Sequence, residues 1–215
     1  DLARAVKFSS LAKIDYLTVD GAGGGTGMSP WRMMNEWGVP GVELWSLLHK
    51  YCERLAKKGE YVPDIILAGG FILEDQLFKG LALCAPYAKA IGMARAPLAA
   101  VMVGKTIGES IDGGQLPIYL QRFGGTREAI FVTAEELKRE YGKDYGKIPT
   151  SAIGLYTYYE RLAQGLRQLM AGSRKFALKF IDRDDIVALT PEAAEVSGIT
   201  YVMDADNQEV DRVLA

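Results

Sequence analysis

Cysteine is scarce in this chain: only Cys52 and Cys84 occur. They lie far apart in the sequence, inside helical patterns, which excludes a disulfide framework and a cysteine metal knuckle. Both read as reduced core residues of a cytoplasmic protein. Histidine is rarer still. His49 is the single one and sits between Leu48 and Tyr51 in a helical stretch, as a surface or partly buried structural side chain does. No stretch reaches the roughly 18 uninterrupted apolar residues of a membrane span. A large excess of either charge is also missing. The net charge is −2, which excludes non-specific nucleic-acid binding as the main activity.

Glycine is plentiful, and its placement carries the information. Short apolar stretches predict strands at 15–20 ("DYLTVD"), 64–70 ("DIILAGG") and 88–94 ("AKAIGMA"). Helical patterns lie between and around them, at 2–13, 42–59, 73–85 and 95–108. Pro30 starts a further short helix, as proline favours a first turn. In the 42–59 helix, Val42, Leu44, Leu47, Leu48, Tyr51 and Leu55 form the expected apolar stripe, and Gly59 is its stop. Strands alternating with helices predict an α/β fold with parallel strands and right-handed crossovers. Each strand carries its glycines at the C-terminal end, where ligands bind in open α/β sheets and in eight-stranded barrels.

Three loops follow from this: Gly21 to Gly27, Gly69–Gly70, and Gly92 to Arg95. Backbone N–H groups at strand-to-helix turns can converge on one anion, and the missing side chains admit a close approach. Arg95 adds a fixed, permanently charged fork suited to phosphate. None of the loops matches the phosphate-loop pattern, and the Gly-x-Gly-x-x-Gly letters within "GAGGGTG" lack the required context.

Beyond residue 108 the rhythm changes. Residues 109–150 read as an excursion holding one small helix, capped by Thr133 with Glu136 three residues on. Residues 151–171 predict a long amphipathic helix with a seam of Leu155, Tyr159, Leu162, Leu166 and Leu169. The segment 190–198 predicts a short helix with Thr190 as cap, Pro191 in the first turn and Gly198 as stop. Asp182, Arg183, Asp184 and Asp185 read as a solvated turn. Trp31, Met33 and Met34 read as packing under the first glycine loop, and Asp20 as either orienting that loop or facing the ligand.

"VDGAGGGTGMSPWRMM" resembles the loop after the sixth barrel strand in the flavin-binding domain of glutamate synthases and glutamate synthase-related proteins. "ILAGGFILEDQLFKGLALCAPYAKAIGMARAPLAA" resembles the seventh and eighth units of that barrel, and more distantly those of FMN-dependent hydroxy-acid oxidases. The resemblance implies the C-terminal portion of a TIM (β/α)8 barrel over residues 1–108, then the excursion 109–150 and a C-terminal helical extension over 151–215. It implies FMN as cofactor. Gly24, Gly25, Thr26 and Gly27 would line the flavin ring and substrate side. Gly69, Gly70, Gly92, Met93, Ala94 and Arg95 would cradle the phosphate.

The implied reaction is reduction of a 2-imino acid such as 2-iminoglutarate by reduced flavin, with a small amino or keto acid as substrate. Departures from the family pattern shape that expectation. Ala22 and Gly23 stand where the common enzymes carry His and Asp, so alcohol oxidation through a histidine base is not expected. Residues 109–150 hold no cysteine, so this chain carries no ligand set for the iron–sulfur centre of true glutamate synthases. No residue of the chain is assigned a catalytic role and none a metal-binding one. Asp1 leads directly into a helix, and three strands make less than half a barrel, so the chain reads as part of something longer. Either an N-terminal barrel half or a partner subunit would complete it. Alternative readings are the flavin-binding subunit of a multi-chain enzyme such as an N-methylglutamate synthase-like transferase, and a non-catalytic scaffold.

Overall fold

The computed structural model describes residues 1–23 and 30–215. The chain divides into two compact units, residues 1–92 with 167–215, and residues 93–166.

In the first unit, α1 (Leu2–Leu11), β1 (Tyr16–Asp20), α2 (Trp31–Asn35), α3 (Gly41–Ala56), β2 (Asp64–Ala68), α4 (Glu74–Leu83) and β3 (Ala88–Gly92) alternate along the chain. The strands form a parallel sheet in the order β1-β2-β3. The α/β class and the parallel pairing agree with the sequence reading. Register brings the strand ends level: Asp20 pairs with Ala68, and Ala68 with Gly92. Alternation sends Val19, Ile65 and Leu67 into the core, with Ile65 and Leu67 fully buried. On the other register positions, Thr18 and Ala90 are exposed and Ile66 is half-buried.

The helical face is built around α3. Leu44, Trp45, Leu48, Cys52 and Leu55 are buried there. Val42 and Leu47, expected in the stripe, are exposed. Trp45 instead of Leu47 takes the core position because its ring stacks on Phe71, with centroids 4.5 Å apart and planes 9° from parallel. Two glycines make room for that stack. A Cβ at Gly41 would lie 2.7 Å from Cζ2 of Trp45, and one at Gly80, inside α4, 2.7 Å from Cε1 of Phe71.

The tail of this unit carries α10 (Pro191–Ser197) and α11 (Asn207–Leu214). Thr190 caps α10 by accepting from the amide of Ala193 at 3.1 Å, Pro191 opens it, and Gly198 ends it with φ +69°, all as the sequence predicts. The expected solvated turn is corrected. Arg183 is only half-exposed, and its guanidinium donates from Nη1 to the carbonyl of Leu83 and from Nη2 to that of Ser197 at 2.6 Å. Those carbonyls are the last of α4 and of α10, so one cation serves two helix C-termini. Lys175 holds Asp182 at 2.7 Å beside it.

In the second unit, α5 (Arg95–Asp112) is followed by α6 (Ile118–Gln121), α7 (Arg127–Ile130), α8 (Ala134–Tyr141) and a 3-10 turn at Gly142–Lys147. This is more helix than the single small one expected. Helix α9 (Thr150–Gly172) follows, and its N-terminal part belongs to this unit. Ile107, Leu120, Phe131, Leu137, Tyr145 and Ile153 make the core. Helices α5 and α9 meet through glycine: a Cβ on Gly154 would lie 2.9 Å from Cα of Gly104. Thr133 does not cap α8. Its hydroxyl pairs with that of Thr157 at 2.7 Å, while Thr126 caps α7 by accepting from the amide of Ala129. Along α9, Leu162 of the expected seam is buried, but Tyr159 and Leu169 are exposed; Ile153 and Met170 are buried instead. Among the described residues no helix is long and apolar enough to cross a membrane.

Candidate functional site

The C-terminal tips of β1 and β2 are in backbone contact. The amide of Gly21 donates to the carbonyl of Ala68 at 2.9 Å, extending the ladder one residue past the strands. Gly69 has φ +104°, and a Cβ there would lie 2.7 Å from the nitrogen and 2.8 Å from the oxygen of Gly21. Only glycine fits. The amides of Ala22 and Gly23 donate to the carbonyls of Val39 and Met34, which anchors the start of the first glycine loop on the segment before α3.

Gly70 also has positive φ, +84°, but among the described residues a Cβ would meet only the carbonyl oxygen of Ala22, at 3.9 Å. Its bare backbone borders a cavity of about 700 Å³. Gly92 abuts Ala68: its Cβ would lie 3.3 Å from that of Ala68. The structure therefore brings Gly69, Gly70 and Gly92 to one row of strand ends. Met93, Ala94 and Arg95 follow directly as the start of the second unit, with Ala94 preceding α5 and Arg95 as its exposed first residue. Gly24, Gly25, Thr26 and Gly27 lie outside the described residues, as do Met28 and Ser29. Trp31, expected to pack under this loop, is 66% exposed. Met34 is half-buried, and Asp20 is exposed with an oxygen 3.1 Å from the Cβ position of Gly69.

Residues 3–104 match the family model described as the conserved region in glutamate synthase. That stretch is a glutamate synthase-family segment. No curated protein and no solved structure matches the chain. The glutamate synthase-family segment holds all three strands and every glycine tip, and ends inside α5.

The histidine and the two cysteines of this segment are not poised for chemistry. His49, half-buried, has its pKa lowered to about 4 by burial first and by the Arg183 charge second, so it is neutral at physiological pH. Burial pushes the Cys52 thiol up to about 12, and raises Cys84 as well. Neither is a reactive thiolate.

Three side chains at the cavity were not anticipated from the sequence: Trp45, Gln76 and Lys79. Gln76 carried a usable signal. It follows Leu73 by three residues at the start of a helix, the place from which Gln reaches back to preceding amides. Its Oε1 accepts from the amides of Ile72 at 2.8 Å and Leu73 at 3.1 Å. Trp45 gave none, because its burial depends on Phe71 and Gly80, which are distant in sequence.

Proposed function

We propose that this chain is the C-terminal part of a (β/α)8 barrel in an FMN-dependent, glutamate synthase-like oxidoreductase that reduces a 2-imino acid. The observation that carries the reading is the level row of glycine-bearing tips at the C-terminal ends of three adjacent parallel strands, inside the family segment. That end of a parallel sheet is where α/β enzymes hold their ligands.

The residues fit a phosphorylated cofactor. Gly69 lets the two loops touch, and Gly70 presents backbone with no side chain on its open side. Gly92 to Arg95 lead into the N-terminus of α5, an eighteen-residue helix whose positive end favours an anion. In this reading Gly69, Gly70, Gly92, Met93, Ala94 and Arg95 hold the phosphate, and Gly24, Gly25, Thr26 and Gly27 border the ring. When bound, the flavin supplies the hydride; the chain binds, orients and shields it. The substrate is a small amino or keto acid.

A second reading makes this chain the flavin-binding subunit of a multi-chain enzyme of the N-methylglutamate synthase type. The exposed Thr18 and Ala90 fit either reading, since parallel sheets are ordinarily covered on both faces. A barrel half supplied by the same or another polypeptide would cover them.

The test is the flavin spectrum of the purified full-length protein. A bound flavin, released as FMN on denaturation, is the expected result. Colourless protein that takes up no added FMN overturns the proposal. Co-purification with barrel-completing or amidotransferase-like chains selects the second reading.

A further inference from the structure

The cavity of about 700 Å³ at the strand tips is lined from two parts of the first unit. Ala22, Gly69 and Gly70 line it, so it is the open side of the proposed phosphate cradle. The tail lines it as well, with seven residues between Ile186 and Ile199, beyond the matched family segment that ends at residue 104.

This tail wall is anchored at three points. Arg183 is not itself a lining residue, but its guanidinium donates to the carbonyls of Leu83 and Ser197, and both of those residues line the cavity. Lys50 of α3 donates to the carbonyl of Val196 at 3.2 Å. The lining residue Ala188 donates to the carbonyl of Thr200 at 2.9 Å and accepts from the amide of Val202 at 2.8 Å, which folds the tail back on itself.

The tail offers no free polar group to a ligand. Its lining is apolar apart from Ser197, whose hydroxyl donates to the Ala193 carbonyl at 2.5 Å and accepts from the Ile199 amide at 3.1 Å. What the wall can do is keep water away. The amides of Ile72 and Leu73, before α4, are taken by Gln76. Lys79 is the charged side chain of the described lining, and no carboxylate lines it there. An anion is therefore gripped on this side by glycine backbone and one lysine, and both act more strongly where less water screens them.

We propose that the tail is the retaining wall of the flavin site and that Arg183 is a positioning residue for it. By tying Leu83 to Ser197, Arg183 holds the 186–199 segment in the cavity wall, so cofactor grip depends on a contact outside the cavity. The inference rests on the flavin reading above.

The test measures the affinity and release rate of FMN in the full-length protein, by the fluorescence of the freed flavin. Leu189 lines the cavity yet is 74% exposed, so Leu189→Asp is expected to fold with the urea midpoint unchanged. Its new carboxylate faces an anion and is expected to weaken FMN about tenfold. Arg183→Met is expected to release FMN about tenfold faster, with Arg183→Lys recovering part of the loss. Val6→Ala, at a buried α1 position outside the lining, is the control: it lowers the urea midpoint and is expected to keep wild-type affinity. A wild type that takes up no FMN overturns the flavin reading and this inference together. A wild type that binds FMN overturns the wall role alone if either Leu189→Asp or Arg183→Met holds it equally well, or if Val6→Ala loses as much as Arg183→Met.

Discussion

Gly69 touches the backbone of Gly21 so closely that a methyl group there would sit 2.7 Å from an amide nitrogen. The neighbouring Gly70 also has positive φ, but among the described residues a Cβ there would meet only an oxygen at 3.9 Å. The two glycines are therefore required for different reasons, and substitution separates them. Gly69→Ala meets both positive φ and a backbone clash, and is expected to cost about 2–4 kcal/mol. Gly70→Val meets no backbone clash among the described residues and carries the conformational penalty, about 2 kcal/mol. Urea unfolding should rank them in that order. Flavin content should not follow the ranking: Gly70→Val, although the better folded, is expected to retain none, because its side chain occupies the proposed phosphate position. Unaltered flavin content in folded Gly70→Val would show the cradle lies elsewhere.

Sequence periodicity was enough for the elements whose hydrogen bonds and burial are local. The strands at Tyr16–Asp20, Asp64–Ala68 and Ala88–Gly92 and the cap–Pro–Gly pattern of Thr190 to Gly198 are of that kind. Local signals failed where a distant partner competed. Thr133 has a cap-like sequence, yet its hydroxyl is taken by Thr157 on another helix. Arg183 sits in a run of acids that looks hydrated, yet it spans to Leu83 and Ser197. The tips of the strands were legible because glycine after a strand has few local uses. The tail wall of the cavity was not, since nothing in residues 186–199 names the helices it lies against.

The crossing of α5 and α9 reverses an ordinary helix rule. Replacing a mid-helix glycine by alanine normally stabilises by about 1 kcal/mol. At Gly154 the new methyl would lie 2.9 Å from Cα of Gly104 and 3.0 Å from the carbonyl oxygen of Ala100, both backbone atoms. Neither can step aside without moving a helix, and overpacking of this kind costs about 1–3 kcal/mol. Gly154→Ala is expected to be destabilising on balance, and Gly154→Val more so. A gain in thermal midpoint for Gly154→Ala would mean that the two helices do not cross this tightly.

Arg183 joins the ends of α4 and α10 through two carbonyls. Arg183→Met keeps most of the buried stem but leaves both oxygens without their donor. Hydrogen bonds from a charged group contribute about 1.5–3 kcal/mol each, and the half-exposed site moderates this. A loss of about 2–3 kcal/mol is expected in urea unfolding. Arg183→Lys, able to reach one carbonyl at a time, should fall between. Equal stability of the Met variant and the wild type would remove the two-helix role.

The same arginine sets up a pH dependence through His49. Burial, and then the Arg183 charge, hold the folded imidazole near a pKa of about 4, below its ordinary 6.5. The unfolded chain takes up a proton as pH falls through 6.5, while the folded chain stays neutral there. The stabilising contribution is thus complete above about pH 6.5 and is lost progressively toward pH 4. Glu53, Glu60, Asp75 and Asp182 have depressed pKa values, through lysine hydrogen bonds above all, so their losses begin as the pH falls into the ordinary carboxylate range, where the unfolded chain takes up protons first, and are complete below it. Between pH 6.5 and 5 the histidine is the group of this unit whose titration separates folded from unfolded. Urea midpoints of the wild type are therefore expected to fall across that interval. His49→Gln removes the titrating group and keeps a donor for the backbone hydrogen bond to Ala85. Its midpoints should stay nearly level over the same range, so that the two proteins converge as the pH is lowered. Parallel curves would place the acid sensitivity elsewhere and show that the imidazole ionises freely in the folded chain.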